Sequence, residues 1–393
     1  MSWPTVFLGD VTERIDYGLT ASAIDNPNGP RFLRITDIQN DSVNWNTVPS
    51  CECSKNDIKD NELQVGDIVF ARTGATTGKS YLIRELSLTA VFASYLIRVR
   101  AKPCIDTLYL SHFFKSGFYW SQINSMANGA AQPGVNSSKL KNLQIPFPPL
   151  EEQKRIAAIL DKADAIRQKR MQAIALADDF LRSVFLDMFG DPVTNPKGWD
   201  EVILKDIADI RSGVTKGKIV KEDDAITLPY MRVANVQDGY LDLSSIQEIT
   251  VSQKDAKKSM LQIGDILLTE GGDPDKLGRG HVWNGEIENC IHQNHIFSVR
   301  VTDSNYVRPS FLSSVISSPR GKKYFLKVGK QTTGIATINK TVLSEFLPFI
   351  PPLEMQDKYL GIMKKIKELP IYSECNYMKL FSSLSQKAFT GQL

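Results

Sequence analysis

Lys79 and Ser80 close the stretch Gly74-Ala75-Thr76-Thr77-Gly78-Lys79-Ser80, which has the residue types of a phosphate-cradling loop: glycines that let backbone N–H groups approach an anion, a lysine and hydroxyls. The spacing argues against that chemistry. There is one residue too few between the glycines, and Thr73 stands where the first glycine belongs. His281, Cys290, His292 and His295 raise the question of a metal, but on a strand the last three cannot share a face, and no Cys-x-x-Cys pair accompanies them. Asp273-Pro274-Asp275-Lys276 echoes a nuclease metal site without the acidic-x-Lys partner such a site needs. Pro146-Phe147-Pro148-Pro149 lacks the polar residue with which an amino-methyltransferase binds its target amino group. A dinucleotide fingerprint and a nucleophile elbow are both missing. No catalytic constellation emerges, and no metal site is expected.

What the chain does carry is a set of small, polar and basic loop residues, placed alike in two halves. In the first half they are Thr20 and Ser22; Arg72, Thr73, Thr76, Thr77 and Lys79; and Asn128, Gln132, Asn136, Ser137 and Lys139. In the second they are Thr215, Lys216 and Lys218; Lys276 and Arg279; and Lys330, Gln331, Thr332, Thr333, Asn339 and Lys340. Lysine, arginine, serine and threonine reach phosphates, while arginine, asparagine and glutamine can read base edges in a major groove. Taken alone, the same residues also suit ordinary solvated loops.

The elements that must position these loops repeat. Trp3, Val6, Leu8, Asp10 and Val11 match Trp199, Val202, Leu204, Asp206 and Ile207. Phe32–Ile38 matches Tyr230–Val236, Gln64-Val65-Gly66-Asp67 matches Gln262-Ile263-Gly264-Asp265, and Ser94–Arg100 matches Asn294–Arg300. Pro148-Pro149-Leu150-Glu151-Glu152-Gln153 returns as Pro351-Pro352-Leu353-Glu354-Met355-Gln356. Five blocks in one order establish an internal duplication whose period is far too long for a solenoid. Alternating apolar runs at 67–71 and 95–99 predict strands, and 57–63 and 108–114 predict short helices. After each half a helical stretch begins: 151 to about 187, which has neither glycine nor proline, and 354 to about 389. The first carries apolar residues at three–four spacing, acidic residues at its start and Gly190 at its end, and predicts an uninterrupted helix. Pro370 should interrupt the second. Helices this long need a partner for their apolar stripe, and pairing with each other antiparallel is the economical arrangement; packing of each on its own globule is the alternative.

The chain has 393 residues, 42% hydrophobic and 23% charged, with a formal charge of +3, so any DNA-binding face must come from local clustering of cations. Five scattered cysteines, no signal peptide and no long apolar run predict a cytoplasmic protein.

The doubled Pro-Pro-Leu-Glu-x-Gln block, Ile145–Asp161, Met188-Phe189-Gly190-Asp191-Pro192 with Trp199, the Gly-Asp-Ile triplets at 66–68 and 264–266, and Gln386–Gly391 together resemble the specificity subunit of a type I restriction–modification system, over essentially the whole chain. The resemblance implies an α+β chain of two similar globular target recognition domains with curled β-sheets, separated by two long helices pairing as an antiparallel coiled coil. It implies a first recognition domain at 1–150, a central spacer helix at 151–190, a second recognition domain at 191–353 and a C-terminal spacer helix at 354–393. Each domain would read one half of a bipartite site in double-stranded DNA through the loop residues named above. The helices would dock two methyltransferase subunits, and restriction subunits would join through those. S-adenosylmethionine, ATP and Mg would belong to the partner subunits, with no cofactor on this chain. A self-contained methyltransferase or nuclease is disfavoured by the missing catalytic motifs, and a protein-only coiled-coil scaffold by the basic, Asn-rich loops.

Overall fold

The computed structural model describes residues 3–26, 28–39, 41–74, 76–127, 134–272, 277–332, 335–372 and 377–393. Met1–Gln172 with Glu374–Leu393 form one compact unit, and Ala173–Ser373 form a second.

The first unit is built on an open antiparallel sheet in the order Thr12–Tyr17, Leu96–Ala101, Ile68–Ala71, Ser80–Leu82. A second sheet runs Ala90–Phe92, Arg31–Leu33, Ser50–Cys51, Ala23–Ile24, its first pair parallel. Helices Lys55–Asn61 and Thr107–Phe113 lie within two residues of their expected positions. The second unit repeats the plan: Ala208–Ser212, Ile296–Val301, Ile266–Thr269 and Gly280–Val282 form the antiparallel sheet. Gln247–Ser252, Ala225–Met231 and Ile291–His292 form the other. A further sheet, Gly271–Gly272 with Ile335–Thr337 and Lys330–Thr332, has no counterpart among the described residues of the first unit.

The repeated blocks prove to be the same joints made twice. Asp67 accepts the Gln64 backbone N–H at 2.8 Å, closing the turn at Gly66, and takes both forks of Arg100 at 2.7 Å. Asp265 does the same for Gln262 N–H (2.9 Å) and for Arg300 (2.6 and 2.7 Å). Both carboxylates are sealed from solvent, so each pair fixes a turn to the central strand with charge-assisted bonds. Gly66 and Gly264 sit at φ +97 and +94, left-handed values that a side chain would strain.

Gln153 explains why its block ends alike in both copies. It is fully buried; its carbonyl accepts Asp106 N–H and its amide donates to Pro148 O, both at 2.8 Å. Gln356 accepts from Arg308 N–H at 2.9 Å and donates to Pro351 O and Tyr306 O at 2.8 and 3.1 Å. The start of each long helix is thus bolted to its globule.

The helix Leu150–Phe189 is continuous over 40 residues. Its C-terminal counterpart breaks where Pro370 predicts, into Leu353–Lys367, a 3₁₀ turn Pro370–Tyr372 and Tyr377–Thr390. Pairing is antiparallel in each unit. In the first, Arg155 reaches Leu393 O at 2.9 Å and the Arg167 guanidinium lies 5.8 Å from the Phe381 ring. In the second, Asp178 accepts from Tyr372 at 2.7 Å and Phe185 meets Tyr359 at 5.4 Å. Helix packing on a globule occurs as well, but the ends are exchanged. Phe389 packs on Tyr109 and Phe113 in the first unit, and Phe189 packs on Phe311 in the second. Trp3 donates its indole N–H to Ala388 O (3.0 Å) and Trp199 to Phe189 O (2.9 Å), satisfying helix-terminal carbonyls. Each globule therefore holds the beginning of one long helix and the end of the other. Among the described residues no helix is long and apolar enough to cross a membrane.

Candidate nucleic-acid interface

Three of the sequence-selected loops of the first unit meet around one strand end. Leu19 bridges Ala93, donating to Phe92 O at 2.7 Å and accepting from Ser94 N–H at 2.9 Å. Gly18 makes this crossing possible, because a Cβ there would lie 2.1 Å from Phe92 O. Arg72 donates its backbone N–H to Tyr95 O and accepts from Val135 N–H, both at 3.0 Å. Residues 18–22, 72–79 and 134–139 are thereby tied to 93–95. Gly78 N–H and Lys79 O close the 72–79 turn on Ala71.

The side chains extend the junction. The Arg72 guanidinium lies 5.0 Å over the Tyr17 ring, and the Tyr17 oxygen accepts from Ser137 N–H at 3.1 Å. Burial works to raise the Tyr17 phenol, but the bond from Ser137 and the charge of Arg72 outweigh it and leave the phenol below its ordinary value. Thr20, Ser22, Arg72, Thr73 and Lys79 are exposed, while Thr76 and Thr77 are half-buried. Thr77 donates to Gly74 O at 2.7 Å, Lys139 to Met126 O and Gly134 O at 3.1 and 2.9 Å, and the Asn136 carbonyl caps the helix Ser137–Lys141 by accepting Lys139 N–H at 2.8 Å. Those three side chains already serve the loop itself. Asn128 and Gln132 lie outside the described residues.

The second unit has the same wiring. Val214 bridges Gln293, donating to His292 O and accepting from Asn294 N–H, both at 2.9 Å. Glu270 donates its backbone N–H to His295 O at 3.0 Å and accepts from Ile338 N–H at 2.9 Å. Thr269 closes on Arg279 O as Ala71 closes on Lys79 O. Thr215, Lys216, Lys218, Asn339 and Lys340 are exposed and Arg279 is half-buried. Lys218 pairs with Asp255 at 3.2 Å, and Asn339 caps the helix Lys340–Ser344 through Val342 N–H at 2.9 Å. Lys276 and Thr333 lie outside the described residues, as do the side chains of Lys330, Gln331 and Thr332.

The four residues that raised the metal question have separate surroundings. His292 is buried with its Nδ1 2.9 Å from Ser259 O, His295 is exposed and pairs with Glu270 at 2.8 Å, and Cys290 is buried in an apolar cluster. Burial pushes the His281 and His292 imidazoles below their ordinary range and the Cys290 thiol up to about 12. Among the described residues no three histidine, cysteine or carboxylate side chains stand together as a metal would need.

Tyr17, Tyr95, Glu270 and His295 were not selected by loop composition, yet the wiring places them at the junctions. The signal was available in the block alignment, which sets Tyr95 against His295.

A profile described as the type I restriction modification DNA specificity domain matches residues 2–176 and again 196–371. The StySPI type I restriction enzyme specificity subunit of Salmonella potsdam is 27% identical, over 92% of this chain and 82% of its own length. The EcoKI specificity subunit of Escherichia coli strain K12 is 23% identical over the same shares. The crystal structure of a type I restriction–modification S subunit from M. genitalium shares the fold at 15% identity, with a TM-score of 0.54, covering 100% of this chain and 96% of that one. With two matches that together span most of its length, the chain belongs to the type I restriction–modification DNA specificity family.

Proposed function

We propose that this chain gives a type I restriction–modification complex its DNA sequence specificity and performs no catalysis of its own. Each recognition domain reads one half of a bipartite, asymmetric site in double-stranded DNA. The observation that carries this reading is the duplicated junction: one backbone wiring, made twice with matching bonds, displays a different set of exposed polar side chains each time. A scaffold that binds only proteins has no need to hold backbone constant while varying the displayed residues. The paired helices are the docking surface for two methyltransferase subunits, through which restriction subunits join; S-adenosylmethionine, ATP and Mg are held by those partners.

Domain limits of 1–150 and 191–353, with spacers at 151–190 and 354–393, give the exchange that tests the reading. Replacing 1–150 by the corresponding span of a relative should change one half-site and leave the other. The measurement is retention of duplexes by the chain with its methyltransferase partner at moderate salt, together with mapping of methylated adenines. Loss of sequence-specific retention by the unaltered complex, or a change at both half-sites in the exchange, overturns it.

A further inference from the structure

Arg72 and Glu270 occupy one position in two copies of the junction. Each follows the second strand of its central sheet, Ile68–Ala71 or Ile266–Thr269. Each donates its N–H to the residue just before the strand paired beside it, Tyr95 before Leu96–Ala101 or His295 before Ile296–Val301, at 3.0 Å. Each accepts from the third loop, Val135 or Ile338, at 3.0 and 2.9 Å. The side chains at this shared point are opposite in kind.

Arg72 is donor-only, an always-charged planar fork over the face of Tyr17. Glu270 is acceptor-only when ionised, and its Oε2 lies 2.8 Å from His295 Nδ1. Because a carboxylate can only accept, that bond places the proton on Nδ1, and in the neutral ring Nε2 is then an acceptor too. Glu270 Oε1 and His295 Nε2 have no hydrogen-bond partner among the described residues. Both elements reach solvent: the His295 side chain is 57% exposed, and Tyr95, its counterpart, is 66% exposed.

We infer that this shared position reads a base in each half-site, with Arg72 taking the acceptor edge of guanine and the Glu270–His295 pair taking an exocyclic amino group, on cytosine N4 or adenine N6. A guanidinium fork fits guanine O6 and N7, and a carboxylate fits an amino hydrogen. The two halves of the site therefore differ in hydrogen-bond polarity at matched positions. The inference rests on the function proposed above.

The test uses the full chain assembled with its methyltransferase partner and duplexes in which every base pair of each half-site is changed singly. Arg72→Ala should reduce discrimination at one guanine of the first domain's half-site by about 5- to 150-fold and leave the other half unchanged. Arg72→Lys, which keeps the charge and loses the fork, should retain most of the affinity and weaken the discrimination by less than Arg72→Ala does. Glu270→Ala should relax one position in the other half-site. Glu270→Gln separates the two amino-bearing bases: glutamine fits adenine N6 and N7, so a cytosine preference moves toward adenine while an adenine preference is retained. Uniform weakening across all sequences would mark phosphate contacts and overturn the inference, as would unchanged discrimination in Arg72→Ala and Glu270→Ala. Failure of the unaltered complex to discriminate any sequence overturns the function itself, which distinguishes the two failures.

Discussion

In the first unit a fully buried guanidinium lies in the central sheet. Arg98, on the strand Leu96–Ala101, makes a bidentate pair with Asp16 at 2.9 and 2.6 Å, donates to Glu62 O and Asp60 O, and lies 5.0 Å from the Phe92 ring. At the same places the second unit has Ser298 and His292, and the cation moves to the neighbouring strand as Arg211, half-exposed and paired with Asp209 at 2.7 Å. The turn-to-strand joint, by contrast, is the same in both: Asp67 with Arg100 and Asp265 with Arg300. Shared joints fix the backbone that both units need. Interior charges that fix nothing common have drifted, and so has the residue displayed at the loop junction.

If the joints are equivalent, breaking either should cost alike, and these are the largest effects expected. Asp67→Ala leaves the Arg100 guanidinium without its carboxylate and the Gln64 N–H without its acceptor; Asp265→Ala does the same to Arg300 and Gln262. Removing one partner of such a buried pair costs about 3–5 kcal/mol. Chemical denaturation of each variant measures it. Costs that differ severalfold between the two would mean that the joints are equivalent in geometry but not in weight.

The drifted charge gives the opposite expectation. Asp16→Ala strands a guanidinium that is wholly out of solvent and should cost about 3 kcal/mol, even with Arg98 still bonded to two carbonyls. Arg211→Ala in the second unit should change stability by less than about 0.5 kcal/mol, as surface pairs usually do. Equal losses in the same denaturation experiment would dissolve this part of the contrast.

A third difference appears in acid. His112 is buried in the first unit with neither ring nitrogen hydrogen-bonded; Ser314 stands in its place in the second. Burial, helped by the charge of Lys115, outweighs the pull of Asp161 and Asp164 and holds the imidazole down at about 4. A folded value below the unfolded 6.5 means that the unfolded chain takes up the proton first. The contribution is complete above pH 6.5 and is lost progressively as pH falls toward 4, about 2 kcal/mol of it by pH 5. His112→Ser, which installs the second unit's residue, should flatten the fall in stability between pH 7 and pH 5. The slope left over then belongs to groups such as His292, whose imidazole burial also depresses. An unchanged slope would move the acid sensitivity away from His112.

The joints were visible in the sequence because they repeat. Gly66-Asp67, Gly264-Asp265, Gln153, Gln356, Trp3 and Trp199 each satisfy backbone groups that recur with the fold, so the same side chain is needed twice. Their partners were not visible, since Asp106 and Arg308, which donate to the two glutamines, share no residue type; only their N–H groups matter. Pro370 announced the break in the second helix through its missing N–H and its ring. The exchange of helix ends was hidden, because the contact of Phe389 with Tyr109 spans most of the chain and leaves no local periodicity. At the loop junction, cation content marks Arg72 and not Glu270, because an acceptor-only side chain carries no positive charge.

The smallest effect expected bears on two residues chosen as DNA contacts. Asn136 and Asn339 occupy the same place in the two units, each an N-cap whose side-chain oxygen accepts the N–H three residues on, at 2.8 and 2.9 Å. Each cap satisfies one of the donors that a helix start leaves open, and alanine there costs about 1 kcal/mol. A capping carbonyl engaged in this way has one lone pair committed to the helix, while both amide N–H groups stay available to a ligand. Asn136→Ala and Asn339→Ala should therefore each lower stability by about 1 kcal/mol, while Asn136→Asp, which keeps the accepting oxygen, should retain it. Duplex retention by the same variants separates the two roles. If Asn136→Asp keeps stability and loses discrimination at one base pair, the amide nitrogen reads DNA while the oxygen holds the helix. If discrimination is unchanged, the cap alone accounts for both asparagines, and the reading surface narrows to Arg72 and Glu270 with the exposed residues around them.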